Sequence, residues 1–369
     1  MEASLRAAGL DVEYIRGEGD YLYYEDSKAG TVEVLDMVGG YGASLFGHNN
    51  PRLVQVLQNL LQEQRPFNSQ GSIRSYANDL KAKLSHMAGT KTGSAYAVTL
   101  ESTGSSAVEA AIKHAELEFQ TRLEKELNAL RDVQKKIRVA QRKAPIELSD
   151  EVTQVFWSTM GISDVMDAEA WVQASIDRLL EVTQTSPLVL SLEGAFHGKS
   201  TGALSLTANP SYRRPWSRIG CASTFIPRND MASLYDVIDS ARFGFVKLSL
   251  KGQRLEATPS EMVNVIAAFV EPIQGEGGVL EIDPKFLRVL RACATDSGFP
   301  LVFDEIQSGM GRTGSFLAST HFGVVPDYIL LSKALGGGLC KVSALLVDSD
   351  RYLSEFAMLH TSTFAGDNH

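Results

Sequence analysis

Apolar residues recur along this chain in two rhythms. Up to about residue 50, short β-type runs alternate with glycine turns, as in YLYYED (21–26) and TVEVLDMVGGYG (31–42), which predicts a strand-rich lead-in. After Pro51, residues Leu53, Val54, Val56, Leu57, Leu60 and Leu61 fall on one side of an amphipathic helix. From about residue 95 the rhythm changes to an apolar run, a turn rich in glycine or serine, and a helical stretch. AYAVTL leads to STGSS, PLVLSLEG to AFHG, VIAAFVEP to IQGEGG, PLVFDE to IQSGMG, and YILLSK to ALGGG. Buried strands that end in polar residues or glycine and are separated by helices predict an α/β fold with a mostly parallel central sheet and helices on both faces. Ligands of such sheets sit beyond the carboxyl ends of the strands, so the residues just after each apolar run are the chemical candidates.

One region breaks the alternation. Between residues 115 and 186 lies a charged helical stretch (116–143) with Leu123, Leu127, Leu130 and Ile137 at helical spacing, then a second around DAEAWVQASIDRLLEV (167–182). The expectation is a helical hairpin packed on the surface of the main domain. A docking or oligomerisation element is the rival reading. The expected organisation is an N-terminal segment over 1–60, a large domain over 61–345 that carries the 115–186 insertion, and the start of a C-terminal part over 346–369.

Composition narrows the class. The 369 residues are 44% hydrophobic and 21% charged, with a formal net charge of -9, as in a globular protein with at least one large core. The acidic balance, without any long Lys/Arg block, argues against nucleic acid or an anionic membrane as partner. No apolar run has the length of a signal peptide or a membrane span, and a cytoplasmic location is expected. Cys221, Cys293 and Cys340 stand far apart and suggest neither disulfides nor a metal site.

Lys333 closes the run YILLSK, just before glycines that let a ligand approach closely. A partly desolvated lysine has a lowered pKa and becomes an amine nucleophile. Asp304 ends PLVFD, setting a carboxylate at the ligand edge of the sheet. There it is either a helix N-cap or a partner for a protonated ring nitrogen. Gln307 stands close behind, within reach of a ring oxygen. Gly104 and Ser105 open a helix whose N-terminus favours an anion. Phe196 sits beside a tight turn, placed to stack on a flat ring, with His197 as a polar neighbour.

Taken together, these segments resemble the class III aminotransferases, a family of fold-type I enzymes dependent on pyridoxal 5′-phosphate (PLP). The resemblance begins near RGEGDYLYYED, passes through GGYGASLFGHNNP, and is most specific in AAFVEPIQGEGGV, PLVFDEIQSGMGRTG and PDYILLSKALGGG. It implies that Lys333 is the Schiff-base lysine, that Asp304 meets the pyridine nitrogen, that Gln307 approaches the ring hydroxyl and that Phe196 stacks on the ring. It also implies that Gly104 and Ser105 bind the phosphate, with His197 and Glu271 of VEP completing the cofactor set. Glu276 of GEGG and Tyr41 of GGYG fall on the substrate side. Thr363 of HTSTFAGDN matches a residue that reaches the phosphate of a neighbouring subunit's cofactor, which implies a homodimer with shared active sites.

The phosphate turn reads S-T-G-S-S where the family usually has an Asn-Ser-Gly start. The chain also stops at His369, where the family usually continues, so a piece of a longer protein is expected. The expected activity is transfer of an amino group between an amine or amino-acid donor and an aldehyde, ketone or 2-oxo acid. Two rivals stand beside it. One is another PLP outcome on the same scaffold, such as decarboxylation, racemisation, aminomutation or carbon–carbon bond formation. The other is a weakly catalytic scaffold that docks a carrier protein through residues 115–186.

Overall fold

A computed structural model describes residues 2–64, 66, 72–164 and 166–361. Three strands, β1 (Tyr14–Glu18), β2 (Tyr21–Asp26) and β3 (Gly30–Leu35), form an antiparallel meander. The helix Pro51–Gln62 follows, with the Asn50 side chain accepting from the amides of Arg52 and Leu53 at its start. This helix has the apolar stripe expected of it, yet none of its residues is buried.

The central sheet is built from β4 (Tyr96–Glu101), β5 (Leu188–Leu192), β6 (Ser223–Ile226), β9 (Val265–Val270), β12 (Leu301–Asp304), β13 (Tyr328–Leu331) and β14 (Ser343–Asp348). Their spatial order is β4-β14-β13-β12-β9-β5-β6. The pairs from β13 through β12, β9 and β5 to β6 are parallel, and β14 alone runs against its neighbours. Every residue of β9, β12 and β13 is buried, which is why these strands read as continuous apolar runs. The sheet extends through Asp348, past the expected boundary at residue 345.

Period-two alternation divides the core between the two faces. Phe269, Val302 and Leu330 meet the helix Gly104–Ala140, whose Ala107, Val108, Ala110 and Ala111 let it sit close. Val270, Leu301 and Phe303 meet the helix Pro284–Ser297 through Phe286, Leu287 and Leu290.

The first of these helices runs on for 37 residues and leaves the sheet behind. Its distal Leu123, Leu127, Leu130 and Ile137 are buried against the helices Asp150–Met160 and Ala168–Thr183. A long hairpin of β7 (Arg242–Lys251) and β8 (Arg254–Val263) completes this packing with Phe243, Phe245, Val246 and Leu255. The buried Ser175 hydroxyl donates to the Val246 carbonyl at 2.5 Å and accepts from its amide at 3.1 Å, which pins helix to hairpin. The insertion is therefore more than a helical hairpin. It shares a mixed α/β core with a hairpin that begins only at Arg242, well downstream of the helices. A last hairpin of β10 (Ile273–Gln274) and β11 (Leu280–Glu281) follows β9 and carries the GEGG turn. Among the described residues, no helix is long and apolar enough to cross a membrane.

Candidate active site

Polar groups converge at the carboxyl ends of β12, β13, β9 and β5, around the turn that follows β4. Asp304 is the last residue of β12 and only 3% exposed. One of its oxygens accepts the Ile306 amide at 3.0 Å, and the other lies 2.7 Å from His197 Nδ1. Burial opposes a charged imidazole, but the hydrogen bond and charge of Asp304, with Glu271 adding, hold the His197 pKa above its ordinary value. His197 Nδ1 thus faces the Asp304 carboxylate at hydrogen-bond distance, with its proton directed at Asp304. His197 Nε2 is buried and has no hydrogen-bond partner among the described residues.

Lys333 follows β13 by one residue and adopts a left-handed backbone, φ 45°, before a short helical turn. Such a conformation costs a non-glycine residue about 1–3 kcal/mol and concentrates at functional sites. The side chain is half-buried, and its Nζ contacts Gln307 Oε1. Burial lowers the Lys333 pKa, while Asp304, Glu271 and Glu276 act as acidic neighbours in the opposite sense and Arg312 adds to the lowering. Register places Asp304 beside Leu330 on the paired strand, so the acid and the lysine occupy the same edge of the sheet.

Glu271 follows β9 and is 5% exposed. Its two oxygens accept the amides of Phe196 at 2.8 Å and Gly275 at 3.3 Å. Burial is the main force that pushes its pKa up to about 7, although His197 and these amides pull the other way. Glu271 thus joins the loop carrying Phe196 to the hairpin carrying Glu276. Phe196 is half-buried, edge-on to Tyr212 with ring centres 6.4 Å apart. Lys199 Nζ lies 3.9 Å from the Tyr212 ring centre.

The turn after β4 forms a capping box. Thr103 accepts the Ser106 amide at 3.1 Å, and Ser106 Oγ accepts the Thr103 amide at 3.0 Å. The amides of Gly104 and Ser105 have no intrahelical carbonyl to take them, so an anion has donors waiting there. A Cβ on Gly104 would stand 3.0 Å from Ile306 Cδ1 and 3.5 Å from Ser332 Cβ. Glycine lets this turn lie close against the strand ends bearing Asp304 and Lys333, where a side chain would press on Ile306.

Tyr41 is 81% exposed on a left-handed backbone at the rim. Its neighbour Gly42 faces Gln307, because a Cβ there would come within 2.8 Å of Gln307 Nε2. Thr363 lies outside the described residues. Of the sequence-derived candidates, Lys333, Asp304, Gln307, His197, Phe196, Glu271, Glu276, Gly104 and Ser105 thus gather around one sheet edge.

Sequence reasoning passed over two groups. Arg312 Nη2 donates to the Gly42 carbonyl at 3.1 Å and closes the rim; it stands in GMGRTG, a motif read for its glycines. Glu109 reaches across to the segment Ser200–Ala203, and nothing in its local sequence announces that contact.

Comparison with known proteins gives a consistent outcome. The family model "Aminotransferase class-III" matches residues 6–369. The acetylornithine aminotransferase of Aquifex aeolicus is 27% identical over 98% of this chain and 71% of its own length. The putrescine aminotransferase of Pectobacterium atrosepticum is 30% identical over 91% of this chain, which spans only 54% of that relative. Among solved structures, an ornithine aminotransferase from Toxoplasma gondii, described with partial occupancy of PLP at its active site, superposes with a TM-score of 0.63. That match has 21% identity and covers 99% of this chain and 67% of the other.

Proposed function

The chain belongs to the class-III aminotransferases, PLP-dependent enzymes of fold-type I, and from that premise we propose that Lys333 and Asp304 are its catalytic pair in moving an amino group from an amine donor to a carbonyl acceptor. The observation that carries the assignment is a half-buried amine with a lowered pKa at the end of β13, beside a buried carboxylate at the end of the paired strand β12.

The residues fit the cofactor part by part. Gly104 and Ser105 would hold the phosphate with their amides at the helix N-terminus, aided by its dipole. Phe196 would cover one face of the ring, Asp304 would take the pyridinium N–H, and Gln307 would reach the ring hydroxyl. When bound, PLP supplies an electron sink for charge released at the donor carbon. Asp304 would keep that sink effective by holding the ring nitrogen protonated, and the hydrogen bond from His197 would hold Asp304 in place. Lys333 would hold the cofactor at rest and, freed as an amine, would move a proton between the donor carbon and the cofactor's C4′, two bonds apart. Its lowered pKa suits it to both directions of that transfer. Glu276 and Tyr41 stand on the substrate side.

The relatives named above act on acetylornithine, ornithine and putrescine, which supports a primary terminal amine as donor here. An aldehyde, a ketone or a 2-oxo acid serves as acceptor. We further propose a homodimer, supported by an apolar rim left open in one subunit. Tyr41, Phe46, Val56, Leu61 and Ile73 are all more than half exposed. A cytoplasmic location is part of the same proposal. The relatives reported above are all aminotransferases, which favours transamination over another PLP chemistry or a scaffolding role.

The test is a single half-reaction. The full chain loaded with PLP is mixed separately with putrescine, ornithine, acetylornithine and common α-amino acids, and loss of the near-visible absorbance is followed. Fast loss with at least one terminal amine, and a returned signal on adding 2-oxoglutarate or an aldehyde, is expected. Reaction with α-amino acids alone would overturn the donor class.

A further inference from the structure

Glu109 lies on the second turn of the helix that begins at Gly104. One of its oxygens, Oε1, accepts three hydrogen bonds from a segment more than 90 residues away. The donors are Ser200 Oγ at 2.6 Å, the Gly202 amide at 2.7 Å and the Ala203 amide at 3.1 Å. Those two amides belong to the first turn of the short helix Thr201–Ser205, whose own N-cap, Ser200, makes no side-chain cap. The carboxylate of one helix therefore caps the start of another. The fit is close: a Cβ on Gly202 would come within 2.4 Å of Glu109 Oε2. A second contact runs parallel to it, because a Cβ on Gly198 would overlap Ser105 Oγ at 2.2 Å.

The segment so held is the continuation of Phe196 and His197. At its upstream end it is fixed to the sheet by Glu271 and Asp304, through the Phe196 amide and the His197 ring. Neither of those ties reaches the helix of Gly104 and Ser105. Glu109 does.

We propose that Glu109 is a positioning residue that sets the distance between the phosphate-binding turn and the ring-stacking loop. The inference rests on the cofactor reading above. A cofactor whose ring and phosphate are joined by a short rigid link gains affinity over its separate parts only when both subsites are held at the matching separation. Removing the tie should therefore erase the advantage of the joined molecule while leaving each subsite intact.

The experiment titrates the apo form of the full chain with three probes: PLP, pyridoxal without its phosphate, and inorganic phosphate. For Glu109→Ala, PLP affinity should fall roughly 10- to 100-fold, while the affinities for pyridoxal and phosphate each change less than about 3-fold. Glu109→Gln keeps an amide oxygen to accept the three donors and should return PLP affinity to within about 3-fold of the parent. An unchanged PLP affinity in Glu109→Ala would overturn the proposal. So would parallel losses for all three probes, which would mark a merely structural role. Failure of the parent chain to bind PLP at all would instead count against the cofactor reading, so the two are told apart.

Discussion

At the scale of single residues, two charged groups do opposite things in the same apolar setting. Lys333 is drawn toward neutrality by burial, although three acids surround it. Asp304 is held by a hydrogen bond with the His197 ring. A carboxylate that can accept a hydrogen bond from a pyridinium N–H, beside an amine that can lose its own proton, is a division of labour set by environment and not by residue type. Asp304→Asn removes the charge and keeps the shape. The cofactor link to Lys333 should still form, while kcat falls roughly 100- to 1,000-fold because the electron sink weakens. Single-turnover kinetics would check this, and near-parental rates would refute the electron-sink role. Both residues were legible in the sequence because each is a polar group placed straight after an apolar strand. His197 was named too, but its contact with Asp304 was not. His197 and Asp304 are 107 residues apart, and only the parallel order of β5, β9 and β12 brings them together.

At the scale of elements, the helix Gly104–Ala140 joins the two ends of the molecule's chemistry and stability. Its first turn faces the active site. Two turns later His114 sits fully buried at the opposite edge of the sheet, near the start of β13. His114 Nε2 accepts the Leu353 amide at 3.2 Å, so the proton must sit on Nδ1, directed at the Tyr328 hydroxyl 2.6 Å away. Tyr328 in turn donates to Glu118 at 3.0 Å, and Glu118 is paired with Arg351. Burial, reinforced by Arg351 and opposed by Glu355, lowers the His114 pKa from 6.5 to about 4. The folded state therefore binds this proton less readily than the unfolded chain. The stability that the neutral ring contributes is complete above the unfolded pKa and is lost as pH falls toward the folded one. Relative to His114→Gln, the parent's stability should shrink by roughly 3 kcal/mol between pH 7.5 and pH 4. Denaturant unfolding across that range would measure it, and a constant difference would contradict the neutral, doubly bonded ring. The helix itself was legible from its leucine spacing. The β7–β8 hairpin that covers its distal half was not. Its alternation is interrupted, with Phe245 and Val246 buried in succession, and Pro259 argues against a strand even though it lies within β8.

At the scale of the whole molecule, one sheet edge gathers residues from five strands that the sequence scatters between positions 101 and 333. The sequence revealed the strand ends, since continuous apolar runs closed by polar residues are what two-sided burial produces. It did not reveal the ties between loops, made by Glu109, Glu271 and Arg312, because no local pattern marks a carboxylate or guanidinium whose partner is distant. The mixed module built from the insertion and the hairpin was hidden for the same reason.

The central claim is that Lys333 is the amine that holds the cofactor. The most direct test is to load the full chain with PLP, reduce it with borohydride, digest it and locate the pyridoxyl group by mass spectrometry. The account predicts a single modified peptide carrying the adduct on Lys333, absent from Lys333→Ala. A stable adduct on any other lysine, with Lys333 unmodified, would contradict it.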